Sequence, residues 1–89
     1  MNIKELQTLF PEATTETWHK HQNGGGWVEN TATVADSAYV GPNVQVYENA
    51  KVSGYARVSG YAQVSGFAKV YGFAWVYENV QVSENDQIK

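Results

Sequence analysis

The chain has 89 residues, no cysteine, and six Lys and Arg against nine Asp and Glu, for a net charge of −3. Disulfides and thiolate metal sites are excluded, and cations this sparse and scattered disfavour a surface for duplex nucleic acid. With no apolar run of membrane-spanning length and no readable leader, a soluble, cytoplasmic protein that does not engage membranes is expected.

The first 27 residues differ from the rest. Asn2 followed by Glu5 fits a capping box, and Ile3, Leu6, Leu9 and Phe10 fall on one side of a helix that Pro11 stops. The spacing predicts a short amphipathic helix over 3–10, suited to covering an open end of whatever follows. A second helical turn is expected through Thr14–His21, ending at Asn23-Gly24.

The stretch His19-Lys20-His21-Gln22-Asn23-Gly24-Gly25-Gly26-Trp27 is the most chemically suggestive part of this segment. Consecutive glycines leave backbone N–H groups unobstructed, and Lys20 with two imidazoles beside them could cradle a phosphate or carboxylate. Trp18 and Trp27 flank the run with stacking surfaces. The run matches no phosphate-loop or dinucleotide fingerprint, and a flexible joint that folds the helix back onto the rest of the chain explains it somewhat better.

From Val28 onward an aliphatic residue occupies every sixth position, through Val34, Val40 and so on to Val82 and Ile88. A six-residue period drifts around a helix and makes no stripe, so helix is rejected for 28–88. Small residues two places earlier, such as Ala56 before Val58, give the two-residue alternation of a strand. Ser-Gly pairs at 53–54, 59–60 and 65–66, with Tyr71-Gly72, mark corners. The chain reads as an all-β solenoid of very short strands over 28–89, preceded by a cap and joint over 1–27. Asp86, standing where the inward small residue belongs, suggests that the repeat ends there.

The segment Val52-Ser53-Gly54-Tyr55-Ala56-Arg57 resembles the motif of the hexapeptide-repeat family, in which turn residues and then a small residue follow an aliphatic one. The resemblance covers 28–88. It implies a left-handed parallel β-helix in which three repeats make one triangular coil, giving about three coils here. At a strand spacing of about 4.8 Å such a prism is only ~16 Å tall, a narrow core for a free-standing chain. Relatives of this kind are commonly trimers, so a homo-oligomer with trimer favoured is expected. Short free-standing repeats of this type are also similar to small proteins of tailed phages.

Of the twelve aromatic residues, nine follow Trp27, and none takes an Ala or Val core position. They must face outward or sit at corners, where another subunit or a ligand would cover them. Under the triangular geometry Tyr39, Arg57 and Trp75 share one column, and Gln45, Gln63 and Gln81 another. The first could hold a cation between rings, stack an aromatic base, or pack on a sister chain.

Enzymatic members of the family use a histidine on an extruded loop, as in acyltransferases, or three zinc-binding histidines, as in γ-class carbonic anhydrases. Here 28–88 has neither histidine nor insertion, and His19 and His21 are too few for a catalytic zinc. A non-enzymatic chain without cofactor or metal is expected. Thr31-Ala32-Thr33 is the sole match to an ice-binding ladder, so that role is set aside. Two functions stay open: a module binding an anionic, nucleotide-like molecule through His19, Lys20, His21, Gly24, Gly25, Gly26, Trp27, Tyr39, Arg57 and Trp75, or a structural spacer or tip without a ligand.

Overall fold

The structure, a computed structural model, describes residues 2–88. It opens with helix α1, Ile3–Leu9, started by the expected capping box. The Glu5 N–H donates to Asn2 Oδ1 at 2.8 Å, and the Asn2 N–H to Glu5 Oε1 at 3.0 Å. Seven residues are too few for a helix to persist alone. Leu6, fully buried, ties α1 to Ala13, Trp18 and Trp27 in a satellite core against which Ile3, Phe10 and Tyr47 pack.

The expected helical turn through Thr14–His21 is not what forms. One turn closes, with the Trp18 N–H on the Thr14 carbonyl at 2.9 Å, and the chain then extends as strand β1, Trp18–Lys20. Thr, Trp and His are mediocre helix formers, whereas an antiparallel pairing to β2, Trp27–Glu29, satisfies the edge backbone. The register sets Trp18 opposite Glu29 and Lys20 opposite Trp27, so these four share the outer surface of the hairpin.

From β2 onward the repeat builds a parallel β-solenoid of about three turns. Its two-residue strands are β3 (Thr33–Val34), β4 (Tyr39–Val40), β5 (Gln45–Val46), β6 (Lys51–Val52), β7 (Arg57–Val58) and β8 (Gln63–Val64), then β9 (Lys69–Val70), β10 (Trp75–Val76), β11 (Gln81–Val82) and β12 (Gln87–Ile88). Three sheets result. The order β1-β2-β5-β8-β11 makes a glutamine face, β3-β6-β9-β12 a lysine face and β4-β7-β10 an arginine face. Pairing continues through Gln87 and Ile88 on β9, so the ladder runs past Asp86 instead of ending there. The Asp86 carboxylate points out and accepts the Ser83 N–H at 3.2 Å.

The interior is a single column of small side chains. Ala38, Val40, Val44, Val46, Ala50, Ala56, Val58, Ala62, Val64, Ala68 and Val70 are all fully buried. The corners fix why glycine recurs. Gly60 has φ +67°, and a Cβ there would stand 2.7 Å from the Glu78 nitrogen of the next coil. Glu48, Glu78 and Glu84 adopt the same left-handed conformation at φ 60°, 56° and 56°, and the Glu48 carboxylate reaches the following coil to accept the Gly66 N–H.

Each coil donates its N–H groups to carbonyls of the following coil, as in Arg57 to Ala74 and Ser59 to Val76, both at 2.8 Å. The first coil therefore turns carbonyls outward, and residues 21–26 cover them. His21 Nε2 meets the Ala38 carbonyl at 2.8 Å, and the Gly26 N–H meets that of Val40 at 2.9 Å. Covering the open end, the role expected of the helix, thus falls to β1 and this loop, while α1 packs on the outer surface of Trp27.

Candidate functional site: the arginine face

Strand alternation turns Val40, Val58 and Val76 into the core and Tyr39, Arg57 and Trp75 outward. The ladder sets Tyr39 opposite Arg57 and Arg57 opposite Trp75, so the expected column forms. The Arg57 guanidinium lies 6.0 Å from the Trp75 ring centre, the outer limit of a cation–π contact. Trp75 is 67 % exposed, so the ring has most of its surface left for another partner.

A cleft runs along each side of this column. One, of about 330 Å³, is lined by Asn23, Ser37, Tyr39, Tyr55, Arg57, Phe73 and Trp75. Its far wall is a parallel stack of Tyr55 and Phe73, centroids 5.6 Å apart and planes 11° from parallel. The other, of about 100 Å³, is bounded by Tyr39, Arg57, Ser59, Trp75 and Tyr77. Arg57 is the one cation shared by both, framed by rings that leave its donors facing solvent.

The remaining candidate residues divide. The glycine loop does reach the arginine face: a Cβ on Gly24 would come within 3.0 Å of the Tyr39 ring, and Asn23 lines the larger cleft. Its amides do not form an open cradle, because the Gly25 N–H is held by the His21 carbonyl and the Gly26 N–H by that of Val40. His21 is buried and spent on Ala38. His19 is exposed, with Nδ1 2.7 Å from Asn30 Oδ1. Lys20 extends over the Trp27 ring at 5.6 Å, on the glutamine face. Trp18 and Trp27 are buried in the satellite core, away from the arginine face.

A further groove, of about 670 Å³, lies where α1 meets the solenoid and had not been anticipated. Phe10, Trp18 and Tyr47 form its aromatic wall, with centroids 4.7 Å (Phe10–Tyr47) and 4.8 Å (Phe10–Trp18) apart, and Glu12, Glu29 and Glu48 stand around it. Two of these carboxylates are engaged: Glu29 accepts the Glu48 N–H at 2.7 Å, and Glu48 accepts the Gly66 N–H at 3.0 Å. The signal in the sequence was Tyr47-Glu48 standing where the three repeats that follow carry Ser-Gly.

No helix is long and apolar enough to cross a membrane among the described residues. Compared with known proteins, the chain matches no family model, no curated protein and no solved structure.

Proposed function

We propose that the chain is a non-catalytic binding module of the hexapeptide-repeat type, with left-handed coils, that sequesters an anionic, ring-bearing small molecule such as a nucleotide on its arginine face. The observation that carries this is Arg57, set in one ladder between Tyr39 and Trp75 with a cleft on either side. A phosphate would meet the guanidinium, whose planar fork suits a tetrahedral anion, while a base would lie on Trp75 or on the edge of the Tyr55–Phe73 stack. Asn23 supplies an amide at the rim. The glycine loop contributes by carrying Asn23 and packing on Tyr39, and His19, Lys20 and His21 fall outside the site.

A homo-oligomer, trimer favoured, is part of this reading. Phe73, 80 % exposed, and its neighbours Tyr55, Trp75 and Tyr77 form more apolar surface than a small chain leaves in water. Holding a nucleotide signal without cleaving it would suit a cytoplasmic, phage-type sponge. Tyr61 and Phe67, exposed at the other two corners, favour a second reading in which the solenoid is a spacer whose rings make protein contacts only.

Calorimetry with mono-, di- and cyclic nucleotides separates the two. Binding is expected, with Arg57→Ala and Trp75→Ala each weakening it about 5- to 150-fold, as loss of one stacking or charge-assisted contact of ~1–3 kcal/mol implies. The ligand should be recovered unchanged after heat denaturation. No heat and no thermal shift with any nucleotide would leave the spacer reading alone.

A further inference from the structure

The lysine face carries a feature that the arginine face lacks: two cations adjacent in one ladder. Lys51 on β6 is the register partner of Lys69 on β9, both exposed, with Thr33 and Gln87 completing the column. Like charges directly opposite in a sheet repel, and a neighbouring carboxylate ordinarily relieves them. Here none does. Glu29, Glu48 and Asp86 each accept a backbone N–H, from Glu48, Gly66 and Ser83, and neither lysine has an ion-pair or hydrogen-bond partner among the described residues.

The surroundings of the pair are shaped. On one side a groove of about 370 Å³ is lined by Asn49, Lys51, Phe67, Lys69, Asn85 and Gln87. Phe67 is 64 % exposed and stands at the corner between the amides of Asn49 and Asn85. On the other side a groove of about 350 Å³ runs past Ser53 and Tyr71. Parallel strands are spaced by about 4.8 Å, and flexible four-carbon stems let both ammonium groups close on the oxygens of one tetrahedral anion.

We propose that Lys51 and Lys69 form a second, separate anion site that takes a phosphate group, with the Phe67 ring placed to receive the ring of a phosphomonoester. The phosphate dianion supplies the missing counter-charge, and its oxygens accept from both ammonium groups. Asn49 and Asn85 each offer an NH2 donor group and a carbonyl acceptor to the edge of a ring lying on Phe67. Nothing in this assignment depends on Arg57, which belongs to a different sheet.

The test is thermal unfolding in inorganic phosphate against chloride at matched ionic strength. Phosphate should raise the midpoint of the parent protein. In the Arg57→Ala background, which removes the phosphate contact of the arginine face, Lys51→Gln and Lys69→Gln should each lose that rise while melting in chloride no lower than Arg57→Ala alone, since removing one cation removes the repulsion. Lys51→Arg should keep the rise, and so should Arg57→Ala, which separates this site from the arginine face. In the Arg57→Ala background, a larger rise with adenosine monophosphate than with phosphate, abolished by Phe67→Ala, identifies a ring-bearing phosphomonoester. Equal rises identify the free anion, and either supports the lysine site. No rise in the parent, an equal rise in both Lys→Gln variants, or a response only to a long single-stranded polynucleotide overturns it.

Discussion

His21 Nε2 and the carbonyl oxygen of Ala38 meet at 2.8 Å across a separation of 17 residues, both residues buried. This contact joins the first segment to the outward carbonyls of the first coil. A buried carbonyl left without a donor costs about 1–3 kcal/mol, so His21→Ala should destabilise the chain by roughly that amount. Urea unfolding followed by circular dichroism checks it. His19→Ala, at an exposed position, should change stability by less than about 0.5 kcal/mol. Equal losses for the two would show that His21 does not hold the end of the solenoid.

The core column makes a sharper claim. Val58 is fully buried between Val40 and Val76 in its ladder. Val58→Asp would place an unpaired charge in the narrowest part of the prism, and a loss of several kcal/mol, against a typical total of about 5–15, should abolish soluble folding. Gln63→Asp is expected to be tolerated, although it gives up the Gln63 Nε2 bond to Gln45 Oε1 at 3.2 Å. Expression and melting curves for the pair decide the register. If both behave alike, Val58 does not face inward.

Corner conformation gives a prediction with opposite signs at two positions. Gly60→Ala would both adopt a left-handed conformation and set a Cβ 2.7 Å from the Glu78 nitrogen, so it should cost about 2–4 kcal/mol. Glu84→Gly relieves a left-handed non-glycine residue at φ 56° and should be neutral or stabilising by up to about 1 kcal/mol. Chemical denaturation of both variants measures the difference.

Trp75 reports on whether the arginine face is covered. Trp18 and Trp27 are buried, so Trp75 should supply nearly all acrylamide-quenchable tryptophan fluorescence, and Trp75→Phe should remove it. If the chain assembles through this face, quenching of the parent falls as concentration rises, in step with the mass from sedimentation. A single mass equal to one chain at micromolar concentration, with concentration-independent quenching, would rule the oligomer out.

The helix start, the solenoid and its columns were legible because each rests on local chemistry. Asn2 and Glu5 are three residues apart and cap the same turn, and the Val spacing survives any choice of side view. The strand at Trp18–Lys20 was not legible, since its only cause is a partner edge at Trp27–Glu29 that a local reading of Thr14–His21 does not contain. The glycine run misled in a related way. Three glycines advertise free amides, yet Gly25 and Gly26 spend theirs on carbonyls of His21 and Val40.

By itself the sequence determined the period, the inward residues and which outward residues share a column, because a repeat that must stack on its own copies leaves one register that buries Val and Ala. Only the tertiary structure decided the fates of His19, Lys20 and His21, adjacent in the chain yet directed to Asn30, Trp27 and Ala38. Alternation along β1 sends neighbours to opposite surfaces, and the chain beyond it turns onto the first coil. It also decided that Lys51 and Lys69 stand together without a carboxylate, since the backbone amides of Gly66 and Ser83 had already claimed Glu48 and Asp86.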